Sequence, residues 1–219
     1  MKMEPIAEGT CDTPPVSAEL SFQDVSFSYQ KAADPLRRMA LEHVTMHIPA
    51  GSFAALVGPS GGGKSTAGQL LARFWDVESG SISIGGKDIR DYSTKALMNT
   101  VAFVFQDTYI FAESVYDNIA MHQNVTREEV ERAAKAARCH DFTQALPESY
   151  HTKLGDGGHK LSGGEAQRLK IASEMGRSQE DAIFVFDEPT IGLHPLDVRT
   201  LLEVFQTLIQ QGATVVVIE

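Results

Sequence analysis

The stretch that leaves this chain least freedom is SFAALVGPSGGGKSTAGQLLARFW, residues 52–75. A short apolar run enters a glycine-rich loop, and helix-forming residues leave it. A loop with so little side-chain bulk cannot add to a core. Its value lies in the backbone, whose N–H groups can curl inward around an anion while the helix start adds positive potential. A flexible glycine loop without consequence is the bland alternative, but a strand before it and a helix after it are the context that a phosphate cradle needs. A strand returned by a helix also points to a parallel sheet.

The spacing is G-x-x-x-x-G-K-[ST], from Gly58 to Thr66. Gly58, Ser60, Gly61, Gly62, Gly63, Lys64, Ser65 and Thr66 are therefore candidate triphosphate-binding residues. Lys64 is expected to reach the β- and γ-phosphates, and the Ser65 hydroxyl to ligate Mg²⁺. Further on, AIFVFDE is an apolar strand that delivers Asp187 to its C-terminal end, near that cation. Glu188 is placed to polarise an attacking water as general base. Between the two lies LSGGEAQRL, in which Ser162, Gly163 and Gly164 open a helix as a second anion-binding terminus. Two phosphate sites so far apart in one chain suggest a dimer, with this helix end covering the nucleotide held by the other chain's loop.

Around these motifs the pattern alternates. Residues 1–18, with Pro5, Pro14 and Pro15, read as a linker or tail. LSFQDVSFSY and LEHVTMHI alternate apolar and polar residues, which predicts antiparallel strands. SFAALVG is expected as a buried strand and KSTAGQLLARFW as one helix. GSISIGGKDI predicts a strand, a Gly-Gly turn and a second strand. After the strand VAFVF the character turns helical: SVYDNIAM, then TREEVERAAKAARCHDF, which opens with a capping box from Thr126 to Glu129. This predicts a helical lobe at about 107–175. GEAQRLKIASEM, AIFVF, LDVRTLLEVFQTLIQQ and TVVVIE then read as helix, strand, helix and strand.

Composition narrows the class. No apolar run is long enough to span a membrane, and the start lacks the apolar core of a secretory signal. Cys11 and Cys139 stand far apart without a CxxC partner, which suits a reduced, cytoplasmic setting. A formal net charge of −10 disfavours nucleic acid as a partner.

From about Leu20 to the end, the three motifs in this order resemble the ATP-binding cassette (ABC) ATPases. The resemblance implies a fold: an α/β P-loop NTPase core with a mostly parallel sheet, an N-terminal antiparallel β subdomain and an inserted helical lobe, together spanning residues 19–219. It also implies ATP and Mg²⁺ as cofactors. Tyr29 in FSYQ stands where an aromatic stacks on adenine, although an ordinary strand aromatic would explain it too. Gln106 in VFQD matches the glutamine that touches Mg²⁺ and the attacking water, or is a plain polar residue at a strand end. LSGGE corresponds to the signature that crosses to a second ABC ATPase domain, identical or homologous.

Up to that signature the chain looks like the ATPase domain of a multidrug- or siderophore-type exporter, on FQDVSFSY, LEHVTMHIPAGSFAALVGPSGGGKST, SGSISIGGKDIRDYS, VAFVFQDTYIFAESVYDNIA and LGDGGHKLSGGE. The implied partners are that second domain and the transmembrane domain of an ABC transporter, at the cytoplasmic face of a membrane. After Leu161, LSGGEAQRLKIASEMG and DEPTIGLHPLDVRTLLEVFQTLIQQGATVVVIE look more like the ABC ATPases of nucleotide-excision repair. His194 stands where exporters carry an Asp. It is either a contact residue or a polar residue before Pro195 at a helix start. The family places a γ-phosphate-contacting histidine after a strand like TVVVIE, and Glu219 is the last residue here. Weak turnover, or nucleotide sensing without turnover, is therefore one expectation beside transport-coupled hydrolysis. A soluble ATPase acting on DNA is another.

Overall fold

The computed structural model describes residues 6–30, 34, 36–156, 158–175 and 182–219, which form two compact units. The first comprises residues 1–103, 179–187 and 212–219. Two sheets build it. In one, β1 (Leu20–Phe27) pairs antiparallel with both β2 (Leu41–Ile48) and β4 (Ser79–Ile84). A hairpin through Gly85 and Gly86, both with positive φ, adds β5 (Lys87–Asp88). In the other, β3 (Phe53–Leu56), β8 (Thr214–Ile218), β7 (Ile183–Asp187) and β6 (Val101–Val104) lie in that order. β8 is parallel to both β3 and β7. The expected α/β class, with one antiparallel and one mostly parallel sheet, is what folds.

α1 (Lys64–Leu71) packs on β7 and β8. Gly68 makes the close approach possible, since a Cβ there would stand 2.6 Å from Ile218 Cδ1. One apolar core joins Leu20, Phe22, Ile82 and Ile84 to Leu70, Val185, Val216 and Ile218. Buried area of this kind is the main stabilising term, at about 25 cal/mol per Å².

Several expectations need correcting. β3 is not buried: it is an edge strand, with Phe53 47% and Val57 just beyond it 74% exposed. Apolar content alone could not tell an edge from a centre. The first helix stops at Leu71 instead of running to Trp75. Arg73 takes φ 53°, its N–H reaches Leu70 O, and the Phe74 N–H reaches Gln69 O. That pattern is a Schellman close, normally signalled by glycine. A helix that the pattern did not predict, α2 (Thr94–Thr100), is capped by Ser93 Oγ accepting from the Ala96 N–H. Of the segment read as a linker, residues 1–5 lie outside the described residues. Beyond them the chain is tied to the first unit, with the Cys11 N–H on Asp91 O and Arg73 Nη2 donating to Ala7 O at 2.7 Å.

The second unit comprises residues 104–178 and 188–211. Its helices are α3 (Val115–Ala120), α4 (Arg127–Ala136), α5 (His140–Ala145), α6 (Gly163–Met175) and α7 (Pro195–Gln210). α6 packs against α3, α4 and α7 around Ile119, Val130, Ala134, Leu169, Ile171 and Val204. The run expected as one helix from Thr126 to Phe142 divides into α4 and α5. Arg138, at φ 55°, closes α4 in the same way as Arg73 closes α1, with the Cys139 N–H on Ala134 O and the Arg138 N–H on Lys135 O. Among the described residues no helix is long and apolar enough to cross a membrane.

Candidate functional site

In the first unit, β3 ends at Leu56 and the glycine loop follows. α1 begins at Lys64 with Gly63 as its N-cap at φ 81°. A side chain at 63 would be strained by that φ, and its Cβ would sit 2.3 Å from Ala40 O. Lys64 folds back along the loop, its Nζ donating to Gly58 O at 2.9 Å and Pro59 O at 3.0 Å. The ammonium is thus held within the loop by two carbonyls, which a better acceptor such as a phosphate oxygen can replace.

Ser65 Oγ donates to Asp187 Oδ1 at 2.8 Å. The loop-helix junction and the end of β7, far apart in sequence, here form one pair of oxygens. A hydroxyl beside a carboxylate is a hard-donor set suited to Mg²⁺, which usually takes one or two protein oxygens plus phosphates. Among the described residues no group of three His, Cys, Asp or Glu could hold a metal alone. That pairing suits a cation shared with a phosphate ligand better than one in an all-protein cage.

Ser60, Gly61 and Gly62 are exposed on the loop, and Thr66 is buried on α1. Tyr29 follows β1 and stays 39% exposed. Its ring is nearly perpendicular to that of Phe27, at 4.9 Å between centroids, and to that of Trp75, at 5.6 Å. Its hydroxyl lies 3.1 Å from both Thr66 Oγ1 and Gln69 Oε1. The spacing of Thr66 and Gln69, three residues apart on one helix face, was available in the sequence. Nothing local linked that face to Tyr29.

The other candidates belong to the second unit. Gln106, just after β6, is exposed. Glu188 directly follows Asp187 and takes φ 47°, a left-handed conformation that costs a non-glycine residue energy. The Gln167 side chain donates to Pro189 O at 2.7 Å, tying α6 to the segment after Glu188.

Ser162, Gly163 and Gly164 open α6. Ser162 Oγ accepts from the Glu165 N–H at 3.3 Å, while Glu165 Oε2 accepts from the Ser162 N–H at 2.8 Å. The serine keeps its own hydrogen to donate to an anion. Gly164 is buried beneath Asp197, whose Cγ would be 2.5 Å from a Cβ at 164. Arg168 Nη1 holds that carboxylate at 3.0 Å. Sequence reasoning missed Asp197 and Arg168, because their meeting depends on how α6 and α7 pack. His194 is the N-cap of α7: its Nδ1 accepts from the Leu196 N–H at 3.3 Å, and Pro195 occupies the first turn.

Comparison with known proteins places this arrangement among relatives. A model of the ABC transporter family matches residues 41–191. An ATP-dependent lipid A-core flippase of Desulfotalea psychrophila is 41% identical over 204 residues, covering 93% of this chain and 34% of the flippase. A Bacillus subtilis protein named for multidrug export, an ATP-binding/permease protein, is also 41% identical, over 90% of this chain and 33% of its own length. A bacterial Atm1-family ABC exporter solved with ATP bound superposes with a TM-score of 0.83 at 33% identity, over 98% of this chain and 37% of that one. The chain thus spans about a third of the length of the proteins it matches. These matches carry the exporter likeness through the C-terminal part, and the repair-ATPase likeness after Leu161 finds no support in them.

Proposed function

The chain belongs to the ABC transporter family, as its ATP-binding domain, and from that premise we propose that it hydrolyses ATP to drive an exporter. The observation that carries this reading is the contact between Ser65 and Asp187, 122 residues apart, at the mouth of the glycine loop. Both are oxygen donors beside the place where loop amides and Lys64 would receive phosphates.

The N–H groups of the 58–66 loop grip the triphosphate, and Lys64 exchanges the carbonyls of Gly58 and Pro59 for phosphate oxygens. Tyr29 stacks on the base. Ser65, Asp187 and Gln106 are the residues that would hold Mg²⁺, which when bound neutralises charge on the β- and γ-phosphates. Glu188 takes the proton of the attacking water.

The Ser162 hydroxyl and the amides of the α6 terminus cover the nucleotide of a second ABC ATPase domain, so two domains enclose two ATP molecules. Closure on ATP and opening after hydrolysis would shift the populations of attached transmembrane domains at the cytoplasmic face of a membrane. The relatives named as exporters and about three times as long support that assignment.

Two variants test the roles. Lys64→Ala should lose most ATP affinity, and parent-like binding would sink the cradle. Glu188→Gln should still bind ATP but release phosphate roughly a hundredfold more slowly. Unchanged turnover would remove Glu188 from the mechanism.

A further inference from the structure

Tyr29 is an exposed aromatic whose hydroxyl reaches the helix that follows the glycine loop. Tyr29 is fixed by two perpendicular rings, Phe27 and Trp75, and by two hydrogen-bonding groups on α1, Thr66 Oγ1 and Gln69 Oε1. A phenol has one hydrogen. The amide oxygen of Gln69 can only accept, so that hydrogen goes to Gln69, and the Thr66 hydroxyl donates to the phenol oxygen in turn. Two of these contacts are to the hydroxyl and two are perpendicular ring pairs, yet 39% of the residue stays accessible. An exposed tyrosine in water ordinarily samples several rotamers. Here its ring plane is set before anything binds.

We propose that Gln69 and Thr66 are positioning residues that hold the Tyr29 ring in the plane from which it receives the nucleotide base. Gln69 acts through Tyr29 alone, while Thr66 joins the loop's grip on the phosphates through its backbone N–H and lends its hydroxyl to Tyr29. The inference rests on the reading that Tyr29 stacks on the base. It adds a link between base and phosphates: the groups that orient the ring sit on α1, the helix that begins at Lys64 and carries Ser65. A base that seats against the ring is thereby registered to the phosphate loop, while a ligand without a base gains nothing from Gln69.

The test compares equilibrium binding of ATP with that of inorganic tripolyphosphate, which lacks the base. Gln69→Leu should weaken ATP binding about five- to tenfold, the worth of one lost hydrogen bond, and leave tripolyphosphate unchanged. Tyr29→Phe, which removes the bonds to both Gln69 and Thr66, should weaken ATP binding at least as much. The double variant should be no weaker than Tyr29→Phe alone, because that change already breaks the bond to Gln69. Gln69→Glu, which keeps an acceptor, should restore the ratio of ATP to tripolyphosphate affinity.

Parent-like ATP binding by Gln69→Leu overturns the proposal. So does equal weakening toward both ligands, which would mean a damaged loop. Tyr29→Ala separates the two layers. If it costs ATP affinity while Gln69→Leu costs none, stacking stands and positioning falls. If Tyr29→Ala also leaves the ratio unchanged, the stacking reading itself is lost.

Discussion

At position 194 an imidazole caps a helix. His194 precedes Pro195 and takes an extended conformation, and its Nδ1 accepts the Leu196 N–H. One of the N–H donors left without an intrahelical partner at the start of α7, where Pro195 has none to offer, is thereby satisfied. At 3.3 Å, from an exposed ring, the cap is a modest one. His194→Ala should lower the unfolding free energy by about 0.5 kcal/mol, whereas His194→Asp, a better acceptor at an N-cap, should hold or raise it. Urea midpoints of the three proteins decide this, and an alanine variant as stable as the parent would show that the cap contributes nothing. Glu188 is a residue-scale feature of the opposite kind. Its φ of 47° places strain beside the candidate metal ligand, and nothing in the letters DE announced it.

Among the elements, α4 shows how far local chemistry reaches. Thr126 and Glu129 were readable as a capping box, and both bonds form: the Thr126 N–H to Glu129 Oε2 at 2.7 Å and the Glu129 N–H to Thr126 Oγ1 at 3.2 Å. The backbone N–H and the hydroxyl of Thr126 favour the ionised carboxylate, so the pKa of Glu129 falls below its ordinary 4.5. For a depressed acid the sign runs one way. Its stabilisation is complete above the unfolded pKa and is lost as pH falls through the lower folded one. Glu129→Ala should therefore be less stable than the parent at about neutral pH, and the gap should narrow in acid. A gap independent of pH would detach the box from the charge. The far end of α4 was not legible, because Arg138 closes it in a conformation usually given to glycine.

For the molecule as a whole, the candidate residues fall on two units, with the phosphate loop, Asp187 and Tyr29 on the first and Gln106, Glu188 and Ser162–Gly164 on the second. If the α6 terminus completes the site of another chain, as proposed, catalysis needs two molecules. Phosphate release per molecule should then rise with protein concentration before levelling off. The same rate per molecule over a hundredfold dilution would argue against a site shared between chains. The solved family relative superposes over 98% of this chain, so the two share this fold.

The sequence by itself determined the strand-loop-helix around Lys64, the order of the motifs, the antiparallel hairpins and the box at Thr126. Each is decided by neighbours a few residues apart, through glycine conformations, side-chain alternation or a cap. The tertiary structure alone decided that β3 lies at an edge, that Asp197 closes over Gly164 and that Gln69 accepts a hydrogen bond from the Tyr29 hydroxyl. These contacts bridge elements far apart in the chain, and a residue carries no local mark of a partner that only packing brings within hydrogen-bond reach.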